Sequence, residues 1–290
     1  MVTAEAISHG AITIVNAMAT GKGAALGVQL WTKARVTLTD NPNQIQARIL
    51  DDPTESTSLI CTTAKIILNE FTTKKYGAIV ETESNIPIAV GLKSSSAASN
   101  AVAAATLAAL GRKTDGIKIV RLGVRSSLRA RVTLTGAFDD ACACYFGGLV
   151  VTDNRRCRIL KRSRPLERNH ILLHVPKLKK YSGDIHKDSF KRIARFVDST
   201  HHEALKGNYL LSLTLNGIAY SNVLGYDPSP VVDALGAGAV GAGLSGKGPA
   251  IVAIVPDRKV EQVISAWNSY SGRIIETALN LKEATSRVLN

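Results

Sequence analysis

Apolar and polar residues alternate over Ala11–Asn16 and again over Lys33–Thr39, and this period of two predicts strands. Ile45–Leu50 repeats the pattern before the turn-forming Asp51–Asp52–Pro53. From Glu55 to Phe71 the period changes: Leu59, Ile60, Ile66, Ile67 and Leu68 fall on one face of a helix, and Ala78–Glu83 is extended again. Ser94–Leu110 is so rich in alanine that helix is its cheapest conformation; its serines suit the N-terminal cap and its small side chains suit close packing. Gly116–Arg131 predicts a further helix, and Ala143–Asp153 reads as a strand, with Cys142 and Cys144 alternating at its start. Ile171–Val175 predicts a buried strand and Asp188–Asn222 two or three helices, with Ile193, Phe196 and Val197 in helical register. Beyond Tyr226–Pro230 a glycine-rich stretch, Ala237–Pro249, leads to an apolar strand, Ala250–Val255, and a helix, Val260–Tyr270, that carries Val263, Ile264 and Trp267 on one side. No internal repeat is visible. The pattern is that of an α+β protein with two lobes of similar size, 1–155 and 156–290, the chain crossing between them in the basic run Arg155–Arg168.

Composition narrows the class. With 290 residues, 45% hydrophobic and 20% charged, the chain has ordinary globular balance and enough length for a large core. The apolar stretch Ala97–Leu110 is broken by Ser99, Asn100 and Thr106 and is shorter than the roughly 20 residues that span a bilayer, so no membrane segment is expected. Met1–Gly10 carries Glu5 and His9 and has no basic start before an apolar run, which argues against a secretory signal and for a cytoplasmic address. Cys61, Cys142, Cys144 and Cys157 are too few and too scattered for a disulfide framework, and no CxxC pair begins a zinc site.

The 36 basic against 23 acidic residues give a formal charge of +13, which steers anionic partners toward the protein without choosing among them. Much of the excess lies in Asn154–His170, where Arg155, Arg156, Arg158, Lys161, Arg162, Arg164 and Arg168 face one acid, Glu167; such a run reads first as solvated surface. Only 5% of residues are aromatic and no nucleic-acid-binding signature is present, so the anion expected is a small molecule rather than nucleic acid.

Three glycine-bearing patterns compete for it. Gly236–Gly241 satisfies G-x-G-x-x-G, but more glycines follow where a dinucleotide site needs a helix. Gly241–Gly248 reads as G-x-x-x-x-G-K followed by glycine instead of Ser or Thr, and runs into Pro249 and a strand, so it is not a P-loop. Pro87–Ala98, PIAVGLKSSSAA, has the right context: Gly91 lets backbone approach a ligand, and the free amides of Ser94 to Ala97 open a helix whose dipole favours negative charge. Lys93 adds a point charge there, and a serine hydroxyl can bond phosphate or magnesium.

That segment, P-x-x-x-G-L-x-S-S-A-A, resembles the diagnostic motif of the GHMP kinases, named for galactokinase, homoserine kinase, mevalonate kinase and phosphomevalonate kinase. The resemblance implies a first lobe like ribosomal protein S5, a ferredoxin-like second lobe, and an ATP site carried by Pro87, Ile88, Ala89, Val90, Gly91, Leu92, Lys93, Ser94, Ser95, Ser96 and Ala97. Either Ser94–Ser95 or Ser95–Ser96 matches the family's serine pair; Ser95 is shared by both and is taken as the Mg2+ hydroxyl.

Two other segments are similar to the archaeal shikimate kinases of that superfamily. One is Ala11–Val28, where Asn16, Thr20, Gly21, Lys22 and Gly23 are implied on the acceptor side. The other is Thr133–Gly148, which supplies the catalytic aspartate: spacing to Gly147–Gly148 selects Asp140, counting from Gly136 favours Asp139. The late loop Gly243–Ala250 is similar to the family's last motif, with Gly243, Ser245, Gly246 and Gly248 shaping the nucleotide site. For a carboxylate on the acceptor, Lys22 and one of Arg125, Arg129 and Arg131 are the available cations. The resemblance therefore implies transfer of phosphate from ATP, with magnesium, to shikimate; another GHMP acceptor such as homoserine is the alternative, against which the Asp139–Asp140 pair and the Thr20–Ala25 stretch both stand.

Overall fold

A long antiparallel hairpin, β1 (Thr3–Val15) and β2 (Lys22–Thr39), forms the spine of the protein, and almost every position of β1 is buried. The computed structural model describes residues 1–42, 44–133, 135–165, 169–178 and 187–289. β3 (Ile45–Ile49) runs parallel to β4 (Gly77–Ser84), with α1 (Ser58–Phe71) as the crossover. β4 then pairs with the outer half of β2, while β5 (Leu149–Asp153) pairs with its inner half. β6 (Arg158–Ser163) extends the sheet from β5. The sheet is completed at the other edge by the last strand of the chain, which pairs with β1 through Ala4–Ile7.

α2 (Ser94–Ala109) lies across β1 and β2, flanked by α1, α3 (Gly116–Arg129) and α4 (Phe138–Phe146). Its alanines allow close approach: a Cβ at Gly123 of α3 would sit 3.0 Å from the side chains of Ser99 and Asn100. Small residues on facing helices thus set the interhelical spacing.

The second sheet holds β7 (Asn169–Val175), β8 (Gly241–Leu244), β9 (Ile251–Pro256) and β10 (Arg273–Thr277), all antiparallel in the order β10-β7-β9-β8. A 3₁₀ segment (Lys187–Ile193), α5 (Ala194–Lys206), α6 (Tyr209–Leu224) and α7 (Ser229–Gly236) connect β7 to β8; α8 (Val260–Trp267) connects β9 to β10. With the intervening helices treated as one layer, this is the βαββαβ arrangement of a ferredoxin-like lobe. The returning strand, β11 (Thr285–Val288), then closes the first sheet. Its Arg287 joins Arg35 on the buried Glu5, and these guanidiniums hold the Glu5 carboxyl below the ordinary range against the opposing effect of burial. Among the described residues no helix is long and apolar enough to cross a membrane.

The α+β, two-lobed expectation holds, with corrections. The division at 155/156 falls in the turn of the β5–β6 hairpin, so sheet pairing moves the crossing to the segment between β6 and β7; Glu167 and Arg168 of that basic run lie outside the described residues. Cys142 and Cys144 lie on α4, not on a strand; the extended part of Ala143–Asp153 begins only at Leu149. α4 is buried almost all round, so it has no polar face to reveal a helical period. The late glycine stretch begins where α7 ends and contains β8, which places Gly243 on a strand: a Cβ there would lie 2.4 Å from the Leu213 carbonyl oxygen of α6.

Candidate active site

The turn before α2 is built from left-handed backbone at alternate positions: Ala89 (φ 59°), Gly91 (φ 93°) and Lys93 (φ 70°). Such turns aim successive amides into one concavity. Lys93 is the residue that caps α2, and no side chain bonds to the first amides of the helix. The serines therefore do not cap it as the sequence predicts; the helix start faces the cleft with its dipole uncompensated, which is the arrangement an anion completes.

A cleft of about 450 Å³ opens over this helix start. Ile88, Ala89, Gly91, Lys93, Ser94, Ser95 and Ser96 line it, whereas Pro87, Val90, Leu92 and Ala97 lie behind, with Val90, Leu92 and Ala97 buried in the core. Ile49, Leu59, Ile60 and Ile88 give its wall an apolar part, with Asp51, Glu55 and Ser58 beside them in the chain. The lining also takes in Asp139, Asp140, Thr13, Asn16 and Met18, with Gly246 and Lys247 from the second lobe. A ligand with an apolar plane, an anionic group and a polar acceptor matches these surfaces.

The late loop between β8 and β9 is locked to the α2 turn. Ser245 Oγ donates to the Gly91 carbonyl (2.8 Å) and accepts from the Thr13 amide (3.1 Å); the Gly246 amide donates to Thr13 Oγ1 (2.8 Å), and the Ala250 amide to the Val90 carbonyl (3.1 Å). Gly248 packs against the ring of Tyr226, whose hydroxyl donates to the Lys247 carbonyl. Of the four late-loop residues only Gly246 lines the cleft; Ser245 and Gly248 hold the loop behind it, and Gly243 lets β8 meet α6.

Lys93 does not simply project toward a ligand. Its ammonium lies 3.1 Å from Asp140 Oδ1 and donates to Thr13 Oγ1, so it joins the α2 turn, β1 and the start of α4 in one contact. Asp140 remains 16% exposed, enough to reach a hydroxyl in the cleft. Asp139 is deeper. One carboxylate oxygen accepts from Asn154 Nδ2 (2.7 Å); the other rests on β2, where a Cβ at Gly23 would come within 2.2 Å of it. Burial first, and then the charge of Asp140, push Asp139 up to about 7, against the pull of the Asn154 bond and of Lys93.

The acceptor-side residues separate in space. Asn16 faces the cleft, and its carboxamide donates to the Gly246 carbonyl and accepts from the Met18 amide. Thr20, Gly21, Lys22 and Gly23 do not line the cleft. The β1–β2 turn that carries them is held from behind by α6: Asn216 accepts from the Asn16 amide, and the Tyr220 hydroxyl donates to the Asn16 carbonyl and accepts from the Ala19 amide. Neither α6 residue is visible in sequence as functional, since both read as helix interior. Lys22 pairs with Asp198 of α5 at 2.7 Å, both side chains about two-fifths exposed. An exposed pair of this kind is worth under about 1 kcal/mol. Lys22→Met is accordingly expected to change stability by less than that and the acceptor KM by less than about threefold, as measured by thermal melts and initial rates. Of the three arginines, Arg131 lines the cleft, Arg125 pairs with Glu70 on the outer surface, and Arg129 is exposed away from the lining.

Relatives of known name share this chain throughout its length. The GHMP kinases N terminal domain model matches residues 58–148 and the GHMP kinases C terminal model residues 227–272. A protein named shikimate kinase from Methanosarcina acetivorans is 42% identical, with 97% of this chain and 95% of the relative aligned. One of the same name from Methanothrix thermoacetophila is 43% identical over 96% and 94%, and one from Pyrococcus abyssi 42% over 94% and 97%. Among solved structures, the Methanococcus jannaschii mevalonate kinase superposes with a TM-score of 0.78 over 95% of this chain and 98% of its own, at 15% identity. A homoserine kinase from Cytophaga hutchinsonii gives 0.77 over 98% and 97%, at 16% identity. The structures establish the fold and the sequence relatives the descent: the chain belongs to the GHMP kinase family.

Proposed function

We propose that the protein is a shikimate kinase, transferring the γ-phosphate of ATP to the 3-hydroxyl of shikimate to give shikimate 3-phosphate and ADP, a step of aromatic amino-acid biosynthesis. The observation that carries this reading is the near-full-length identity of about two-fifths to several archaeal proteins of that name. The cleft supports it by supplying each part that phosphoryl transfer needs.

The uncapped start of α2 and the left-handed turn before it receive the phosphates, and the apolar part of the wall, Ile49, Leu59 and Ile88, receives the base. The acceptor lies between Asn16 and the carboxylates. Its hydroxyl oxygen attacks the γ-phosphorus; a new O–P bond forms while the bond to the β–γ bridging oxygen breaks, and ADP leaves with that electron pair. Asp140 orients the hydroxyl and takes its proton, and Lys93 holds Asp140 against the α2 turn so that the carboxylate and the phosphate stay in register. When bound with the nucleotide, magnesium neutralises charge on the β- and γ-phosphates; Ser95, exposed at the first turn of α2, is the hydroxyl we assign to it. Four free cysteines and the use of ATP agree with a cytoplasmic setting.

A coupled ADP-release assay over shikimate, homoserine, mevalonate and galactose tests the assignment. Shikimate is expected to exceed each of the others by at least about a hundredfold in kcat/KM, the ratio that buried polar groups matched to several hydroxyls can enforce. Equal or greater turnover of another acceptor would remove it.

A further inference from the structure

One residue outside every recognised motif touches both the carboxylate pair and the acceptor-side turn. Asn154 follows β5 in the tight turn of the β5–β6 hairpin and is 4% exposed. Its Nδ2 donates to Asp139 Oδ1 at 2.7 Å, and its Oδ1 accepts from Thr152 Oγ1 at 2.7 Å and from the Asp139 amide at 3.2 Å. Its own backbone amide donates to the Gly21 carbonyl at 2.8 Å. The Asp139 amide and carboxylate fix the orientation of the carboxamide, because the amide can donate only to its oxygen end and the ionised carboxylate can accept only from its nitrogen end. Behind Thr152, the buried His201 of α5 contacts the Thr152 carbonyl through Nε2 at 3.2 Å, so the arrangement is backed by the second lobe.

We propose that Asn154 is a positioning residue for phosphoryl transfer: its carboxamide holds Asp139 beside Asp140 as a charged neighbour, while its backbone fixes the β1–β2 turn, registering the carboxylate pair against the acceptor. This rests on the kinase reading of the cleft but not on the identity of the acceptor. The physical argument is that a negative charge held beside the site of proton transfer favours loss of the acceptor hydroxyl's proton. Asp139 can play that part only while it stays ionised in a buried place, and hydrogen bonding to the ionised form is what keeps it so. The other titratable and charged groups facing Asp139 are Asp140 and the thiols of Cys142 and Cys144 on its own helix, Lys93 from the α2 turn, and Tyr220 from α6. Of these Lys93 alone is cationic, and it is engaged by Asp140; β2 and β5 present glycine and threonine. Asn154 is therefore the neutral side chain that, beside the Asp140 backbone amide, stabilises the Asp139 charge.

The test is the pH dependence of kcat for Asn154→Ala, Asn154→Ser and Asp139→Asn, with ATP saturating and with whichever acceptor the wild type turns over. Loss of the Asn154 bond moves Asp139 toward protonation. Asn154→Ala should lose about threefold in kcat near pH 7, with its acidic limb displaced upward by about one pH unit, and should recover toward wild type near pH 9. KM for ATP should be unchanged. Asp139→Asn should lack that limb and lose about tenfold on its alkaline side, and adding Asn154→Ala to it should cost little more. A uniform loss in Asn154→Ala with the wild-type limb, or an additive double variant, would mean the residue only stabilises the hairpin and would overturn the proposal, as would wild-type kinetics. Should Asn154→Ala fail to fold, Asn154→Ser, which keeps a turn-forming hydroxyl, is read by the same limb displacement. Failure of the shikimate assignment appears in the wild type's choice of acceptor and not in these ratios.

Discussion

Asp140→Asn is expected to lower kcat by about 10²–10⁴-fold, the span that general acid–base groups contribute, while leaving KM for ATP within a few-fold. The asymmetry follows from where the carboxylate stands. Asp140 is the more accessible of the two acids and lines the cleft, whereas the site proposed for the phosphates is the α2 turn. Asparagine keeps the size of the side chain and an oxygen for Lys93 at 3.1 Å, so the turn should survive. What is lost is the proton acceptor. Asp139→Asn should cost only about tenfold, because Asp139 acts through its charge and its amide replacement can still accept from Asn154. Steady-state kinetics of the two variants decide between them: a large loss in Asp139→Asn with a small one in Asp140→Asn would reverse the assignment, and wild-type turnover in both would remove the catalytic proposal.

The ordering of these aspartates shows where sequence reasoning reaches its limit. Two spacings along the chain favour different members of the pair, since both residues occupy the first turn of a nine-residue helix and differ only by 100° of rotation. Burial separates them, and burial depends on β2: Gly23 has no side chain, so Asp139 fits against the strand and Asp140 turns to the cleft. Gly23 is thus required by the packing of Asp139, a reason the acceptor-side motif does not state. Lys93 is a similar case. As a cation beside phosphate amides it reads as a ligand, but its pairing with Asp140 and Thr13 depends on the start of α4 and on β1, 47 and 80 positions away.

By contrast the α2 turn is legible because its chemistry is local. A glycine, a polar run and a strong helix former in sequence mark a helix start open to an anion before any distant contact is known. Among the elements that escape, α4 is buried almost all round, β8 is half glycine, and β6, β10 and β11 are short strands of mixed polarity. Asn154, Asn216 and Tyr220 escape for another reason. Each is ordinary for its element, and its role exists only through partners 15, 200 and 204 positions distant.

Gly91→Ala is expected to destabilise the protein by about 2–4 kcal/mol and to raise KM for ATP at least tenfold, because two independent costs fall on one methyl group. The backbone there is left-handed at φ 93°, and an added Cβ would sit 2.1 Å from the Ser245 carbonyl oxygen. Neither atom can yield cheaply. Gly91 is held by the Ser245 hydroxyl bond to its carbonyl, and Ser245 is itself held by the Thr13 amide, so relief requires the late loop to leave the α2 turn. That movement would take the Gly246 amide from Thr13 Oγ1 and disturb the seat of Lys93, which loosens Asp140 as well. Gly111→Ala separates the two costs. Gly111 is also left-handed, at φ 65°, but no atom lies within 4 Å of its Cβ position, so only the conformational part, on the order of 1 kcal/mol, should appear there. Thermal melts of both variants with and without ATP, read beside their kinetics, isolate the contact. If Gly91→Ala melts no lower than Gly111→Ala and keeps its ATP KM, the late loop does not bear on the phosphate turn, and the cleft's closure from the second lobe must come from elsewhere.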